Sequence, residues 1–324
     1  MKRILIISPH NPFERSNGGE NRIFLLSERL SEKNKVILIC PKGKTTKNKF
    51  KVYQPFEDNS HNKTFNYSLM KEIKKIIKKE NPDEIRLEFP WQSINLILLG
   101  KRYTLDEHNI EFLRFKRTGS RIWRFVFLYE WLSCKFAKRI ICVSQTDKIF
   151  LVKYFRINPE KITIIDNPVD NTIFFPNSKV KNSIRKKLNL KTREKFILFF
   201  GQLNYHPNVE ALEIIRDKII PELEKKRSKY KIVVCGKGDG KGLLKEFNHP
   251  NLIFKGFVEK IQDYINASVV VIAPLYSLSG TRIKILEALA CNKRVISTSI
   301  GAEGINKNKY LEVEDDGNEF VKKI

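Results

Sequence analysis

The sequence predicts an α/β protein made of two doubly wound parallel-sheet domains of similar size. Three observations carry that expectation. Short, almost wholly apolar runs such as RILIIS (3–8), KVILIC (35–40), FILFF (196–200) and VVVIA (269–273) recur along the chain, as strands buried on both faces do. Segments of helical periodicity separate them, and alternating strands and helices argue for a parallel sheet covered on both sides. The rhythm restarts after NPVDNTIFFPNS (167–178), and 324 residues suffice for two cores.

In the first half, RILIIS runs unbroken to Pro9 and reads as the opening buried strand. Strands are expected next at 35–40, 84–88, 102–105, 139–143 and 162–165, with helices at 19–33, 66–80, 92–99, 121–137 and 145–155. In the second half, strands are expected at 196–200, 231–235, 252–254, 269–273 and 295–297, with helices at 207–226, 240–247, 259–266 and 281–291. The domains are set at 1–172 and 173–324. A ligand of such a protein sits outside the carboxyl ends of the strands.

Composition bounds the class. With 41% hydrophobic and 30% charged residues the chain is a soluble folded protein, not a disordered one. No apolar run reaches the length of a membrane span, and the N-terminal run is too short for a signal-peptide core. Cys40, Cys134, Cys142, Cys235 and Cys291 are scattered and several lie in apolar runs. They read as reduced thiols in a cytoplasmic protein. No His/Cys cluster has metal-ligand spacing. The net charge of +25 is spread over both halves and favours an anionic partner: a nucleotide diphosphate, an anionic lipid surface or nucleic acid.

The strongest motif is SGTRIKILE (279–287). Pro274 closes the buried strand before it, Ser279-Gly280 begins the turn, and a helix opens at Thr281 with Arg282 and Lys284 beside its N-terminus. A helix N-terminus with nearby cations is an anion site. Ile283, Leu286 and Ala290 are expected on the inward face, widened by Ile285 and Leu289, with Glu287 near that side, where a carboxylate is costly unless paired. The vicinal hydroxyls of a sugar are one partner for it; an ion pair to Lys284 is the plainer one.

Other motifs are weaker. In SNGGENR (16–22), Gly18 and Gly19 let backbone N–H groups approach a ligand, but the spacing is not G-x-G-x-x-G. GKGDGKG (236–242) lacks Walker A spacing and reads as a strand-to-helix loop. LDEHNIE (105–111) places Asp106, His108, Asn109 and Glu111 after a strand, either as chemistry or as a capped, solvated loop. Residues 112–139 carry eight Lys/Arg, eight aromatic residues and the single acid Glu130. That composition fits a membrane-interfacial helix, with Arg121, Trp123 and Arg124 on its active side, or a core helix with a solvated basic face. No nucleic-acid motif accompanies it. In GFVEKIQDY (256–264), Phe257 and Val258 could meet a flat base, though a plain turn explains them as well.

Taken together, SNGGENR, DEHNIE, CVSQTD, IIDNPVDNTIF, GQLNYHPN, GFVEKIQDYINASVVVIAPL and SGTRIKILEALA resemble the retaining family 4 of glycosyltransferases (group 1). The resemblance covers nearly the whole chain. It implies the GT-B fold, two Rossmann-like domains facing across a cleft, the N-terminal one binding acceptor and the C-terminal one a nucleotide sugar. It assigns Glu287, the second Glu of a Glu-x7-Glu motif, to the donor ribose and His108 to the transferred sugar. Ser279 stands where the first Glu falls, leaving backbone N–H groups of Gly280 and Thr281 to hold the sugar. Gln202 replaces a common Arg and no Lys follows it, so Arg282 and Lys284 are expected to meet the diphosphate with Gly18 and Gly19. The chain ends at FVKKI, where relatives usually continue for a few dozen residues, so a truncated C-terminus is one expectation.

The resulting expectation is a metal-independent hexosyltransferase working by a front-face mechanism, without cofactor, in cell-surface polysaccharide or lipopolysaccharide assembly. No Asp-x-Asp suggests a metal site. Its partners would be a nucleotide sugar, a glycan or lipid-linked acceptor, and an anionic membrane surface at which it sits peripherally; no nucleic acid is expected. The alternatives are an inactive nucleotide-sugar-binding protein of the same fold and a basic membrane-surface or nucleic-acid binder.

Overall fold

The computed structural model describes residues 1–324 except 16, 58–63, 227–228, 240–241, 243–248 and 278–281, and the side chain of Asn318. The chain divides into two compact units, Met1–Pro168 and Val169–Ile324.

The first unit holds seven strands: β1 (Arg3–Ile7), β2 (Lys35–Pro41), β3 (Lys51–Phe56), β4 (Glu84–Glu88), β5 (Thr104–Glu107), β6 (Arg139–Cys142) and β7 (Ile162–Ile164). They form one parallel sheet in the order β3-β2-β1-β4-β5-β6-β7. Its helices are α1 (Gly18–Ser31), α2 (Tyr67–Glu80), α3 (Ser93–Leu98), α4 (Glu111–Arg117), α5 (Trp123–Phe136) and α6 (Gln145–Phe155). Leu5, Ile7, Ile37, Ile39 and Leu87 pack into one core and Ile4, Ile6, Val36 and Leu38, on the alternate face, into another, because helices cover both faces of a parallel sheet.

The second unit holds β8 (Lys195–Phe200), β9 (Tyr230–Cys235), β10 (Leu252–Gly256), β11 (Val270–Ala273), β12 (Val295–Ser297) and β13 (Leu311–Val313), in the order β10-β9-β8-β11-β12-β13, again all parallel. Its helices are α7 (Lys181–Lys187), α8 (His206–Ile214), α9 (Ile220–Lys225), α10 (Ile261–Ala267), α11 (Ile283–Ala290) and α12 (Gly317–Lys322), with a π-helical turn Ile215–Ile219 joining α8 to α9.

Strand order reverses at β1/β4 in the first sheet and at β8/β11 in the second. The carboxyl end of a sheet opens into a crevice at such a switch point. These two points therefore locate a candidate site in each unit without reference to any motif.

Several expectations need correction. β5 was expected over 102–105 but forms over Thr104–Glu107, so Asp106 and Glu107 are strand residues, not loop. Acids are poor strand formers and costly to bury; here each acquires a side-chain partner distant in sequence, described below. Residues 111–117 form a separate helix, α4, and β3, β13, α7 and α12 carried no expectation. The helix expected over 240–247 falls, apart from Gly242, outside the described residues.

Candidate functional site

In the first unit the carboxyl ends of β1, β4 and β5 bring together α1's first turn, Phe89 and His108. Asn17 caps α1, its side chain accepting from Glu20 N at 3.0 Å and donating to Glu20 Oε1 at 2.6 Å. Gly19 follows on that first turn. A Cβ on it would lie 3.0 Å from Phe89 Cζ and 3.4 Å from His108 Nδ1. The glycine thus lets the positive end of α1 lie against the imidazole.

His108 is buried, and its Nε2 lies 2.7 Å from Glu88 Oε2. A ring nitrogen facing a carboxylate carries the proton. Nδ1 is buried and has no hydrogen-bond partner among the described residues. The Phe89 ring lies over the imidazole with centroids 4.0 Å apart. Phe89 has φ 64° and ψ 159°, a conformation that costs a non-glycine residue roughly 1–3 kcal/mol and gathers at functional sites. Its N–H donates to the Asp106 carbonyl at 3.0 Å.

Arg22, wholly buried, donates to Asp106 Oδ1 through Nε at 3.2 Å and Nη2 at 2.9 Å. Its Nη1 donates to Asp166 O and Asn167 Oδ1. Glu88, Asp106 and His108 bring three ligand atoms within 4.8 Å of one another, a cluster that sequence spacing did not reveal. With Asp106 engaged by Arg22 and Glu88 by His108, it is a satisfied charge network.

Deeper in the unit, Glu130 of α5 accepts from Glu111 N and Phe112 N, both at 2.8 Å, and so caps α4. Glu107 accepts from Cys134 Sγ at 3.5 Å. Burial pushes both acids well above the carboxylate range; the neighbouring carboxylates reinforce the shift, while the α4 backbone N–H groups oppose it at Glu130.

The acceptor-side residues expected from sequence scatter. Glu111 is buried and pairs with Arg114 at 2.5 Å. Asn109 Oδ1 is buried with no hydrogen-bond partner among the described residues. Arg121 and Arg124 are exposed, whereas Trp123 is half-buried and packs on the core. Trp123 is therefore not on the outward side, because α5's buried stripe runs through Val126, Glu130, Ser133 and Cys134, next to it on the helix.

In the second unit the site gathers at the β8/β11 switch point. Lys284, in the first turn of α11, reaches back to the loop after β8. Its Nζ donates to Asn208 Oδ1 at 2.7 Å and lies 4.7 Å from the Phe199 ring centroid. Asn208 in turn donates to Gln202 O at 2.8 Å. Gly201, φ +149°, leaves room for the ammonium; a Cβ there would lie 3.1 Å from Nζ. Burial, with the Arg282 charge adding to it and Glu287 opposing it, pushes the Lys284 ammonium down to about 7.

Arg282 sits at the N-cap of α11, buried, its Nη2 donating to Ile300 O at 3.3 Å. The inward face of α11 is Ile285, Ala288 and Leu289; Ile285 and Leu289 are where they were expected, whereas Ile283, Leu286 and Ala290 are only half-buried. IKILEALA is apolar nearly all round, so its stripe could not be fixed from spacing. Glu287 consequently lies on the half-buried side. Phe257 presents its ring 62% exposed, with Lys237 Nζ 5.4 Å from the centroid, and Val258 packs on the core. Ser279, Gly280 and Thr281 lie outside the described residues. Glu88, Phe89 and Asn208 were not singled out from sequence; EFPW carries no motif, and Asn208 enters only as the last residue of the family-like segment GQLNYHPN.

Two parallel, doubly wound sheets with polar clusters at their switch points define a Rossmann-like pair of units. Residues 16–172 match the family described as Glycosyltransferase Family 4, and residues 194–324 match Glycosyl transferases group 1. The chain belongs to this family of GT-B glycosyltransferases. It is 30% identical to an uncharacterized glycosyltransferase, MJ1607, of Methanocaldococcus jannaschii, over 53% of this chain and 45% of that one. It is 27% identical to the UDP-Gal:alpha-D-GlcNAc-diphosphoundecaprenol alpha-1,3-galactosyltransferase of Escherichia coli, over 76% of this chain and 67% of that one. The chain thus spans from under half to two thirds of these relatives' length. Among solved structures, Anabaena HepE in complex with UDP-glucose superposes with a TM-score of 0.75 at 15% identity, covering 99% of this chain and 88% of that one.

Proposed function

We propose that this protein transfers a sugar from a nucleotide-diphosphate sugar to an acceptor hydroxyl, with retention of configuration and no metal, during assembly of a cell-surface glycan. One observation carries the proposal: Lys284 holds a cation half-buried at the β8/β11 switch point with a neutral amide as its hydrogen-bond partner. A desolvated ammonium calls for an anion, and a diphosphate supplies one where ligands of such sheets bind.

The second unit is the donor side. Lys284 and Arg282 stabilise the diphosphate, Glu287 accepts from the ribose hydroxyls, and Phe257 offers an exposed ring to the base. The first unit supplies Gly18 and Gly19 at the positive end of α1, and His108, whose Nδ1 meets a sugar hydroxyl. Charge develops on the leaving diphosphate as the glycosidic bond breaks, so fixed cations and amides are the main catalytic devices. The leaving phosphate oxygen takes the acceptor's proton, and no protein nucleophile is required. The E. coli relative, named for a UDP-sugar donor and a diphosphoundecaprenol-linked acceptor, supports a nucleotide sugar and a lipid-linked glycan as the substrate classes.

The test is transfer from a panel of UDP-, GDP- and TDP-sugars with and without EDTA, the product's anomeric configuration read by NMR. A retained anomer in EDTA is expected; tight nucleotide binding without turnover of any donor would replace the enzyme with a binding protein.

A further inference from the structure

Phe89 combines two features that seldom occur together. Its backbone lies at φ 64° and ψ 159°, a region that glycine enters freely and a residue with a Cβ enters only at a cost. Pro90 follows it, but a following proline asks for extended ψ, not for positive φ. Its side chain is nevertheless a full member of the core that Ile6, Leu38 and Phe50 share, and is only 7% exposed. A glycine would make this turn without strain, and an aromatic residue on relaxed backbone would fill this core. Neither would set the ring where it lies.

That ring touches two imidazoles. Its centroid is 4.0 Å from that of His108, with the planes tilted by 37°, and 5.3 Å from that of His10, edge to face at 79°. Its tip, Cζ, stands 3.0 Å from where a Cβ on Gly19 would be. The His108 imidazole therefore has Glu88 on Nε2, the Phe89 ring against it and the first turn of α1 beside Nδ1. We propose that Phe89 is a positioning residue for His108. Its ring, held by strained backbone, stops the imidazole from swinging and keeps water from the Nε2–Glu88 hydrogen bond. A hydrogen bond in such a dry setting is stronger than one in water, and a group already fixed in place need not reorganise during reaction. The effect on transfer rests on the proposed contact of His108 with a sugar; the locking of the ring does not.

Phe89→Leu tests this, with Phe50→Leu as its control. Phe50 is equally buried in the same core, and its ring neighbours are Phe13 and Phe24. Each change removes one ring from that core and is expected to lower the thermal melt. Only Phe89→Leu should reach His108. In side-chain 15N NMR of the ligand-free chain, the His108 Nε2 proton should exchange with water about tenfold or more faster than in wild type; in Phe50→Leu its rate should be unchanged. In transfer assays, kcat should fall about tenfold or more in Phe89→Leu with the donor KM unchanged, and stay near wild type in Phe50→Leu. Phe89→Gly against Phe89→Ala reads the strain by itself: the glycine variant should melt higher, the reverse of the usual order. The proposal is overturned by wild-type exchange at His108 in Phe89→Leu, by equal exchange or kcat changes in the two leucine variants, or by Phe89→Gly melting below Phe89→Ala. An inactive wild type would sink the proposed function, and the exchange rates would still decide this proposal.

Discussion

Nε2 of His108 lies 2.7 Å from Oε2 of Glu88, and the same imidazole's other nitrogen faces the first turn of α1. The pairing fixes which nitrogen carries the proton and which has no hydrogen-bond partner among the described residues. Two residues twenty apart in sequence thus act as one device, of which only His108 was visible as part of a motif.

This device predicts a split between stability and activity. Glu88→Gln keeps the shape but can offer Nε2 a donor in place of an acceptor. We expect it to melt close to wild type while transfer falls about 10²-fold, in the range of a lost positioned proton donor or acceptor. Side-chain 15N NMR should find the His108 proton on Nε2 in wild type and moved in the variant. An unmoved proton with full activity would remove Glu88 from the site.

Arg22 and Asp106 predict the opposite pattern. Both side chains are wholly buried and 2.9 Å apart. Arg22→Ala strands a buried carboxylate and should cost about 3–5 kcal/mol in denaturant unfolding. Arg22→Met with Asp106→Leu should recover a good part of that loss, because it removes both charges. Equal destabilisation by the single and double changes would contradict this reading.

Much of the fold was legible in the strands. β1, β2, β8 and β9 are continuous apolar runs, and burial on both faces leaves such a sequence little alternative. The helix starts were legible at Gly18-Gly19, where α1 opens, and at Arg282–Lys284, where α11 opens. The site was illegible where chemistry depends on long-range neighbours. Asp106 reads as a loop acid until Arg22, 84 residues away, is placed beside it. Glu88 and Phe89 belong to no pattern, and Phe89's strained backbone is a tertiary fact. The inward face of α11 is legible at Ile285 and Leu289 but not at Ile283, Leu286 and Ala290, because that helix is apolar almost all round.

The buried acids predict a pH effect. Glu107's folded pKa is raised above its unfolded value by burial, then by Glu130 and Glu111. The folded state therefore binds the extra proton, so stability is full below the unfolded carboxylate range and declines as pH rises toward the folded pKa. Glu107→Gln should flatten that decline and raise stability at neutral pH by about 1–2 kcal/mol. Chemical unfolding at several pH values checks it; a Gln variant with the wild-type slope would contradict it.

Lys284 predicts a trade between folding and binding. Its pKa of about 7 lies below the unfolded lysine value, so the unfolded state holds more protons from pH 7 to the lysine range and stability rises with pH there. Donor affinity should run the other way, weakening as pH climbs through about 7 in the ligand-free protein. Lys284→Met removes the desolvated charge and should leave stability at pH 6 equal or higher, while diphosphate binding falls about tenfold or more. Calorimetry of both variants across pH tests the two halves separately.

The most direct test of the central claim is calorimetric titration of UDP, GDP and TDP into wild type and Glu287→Ala. We predict that one of these nucleotides binds the wild-type chain at one equivalent, and that the variant binds it at least about tenfold more weakly. No binding by any of the three, or the same affinity with and without the Glu287 carboxylate, would contradict a nucleotide-sugar site at the β8/β11 switch point.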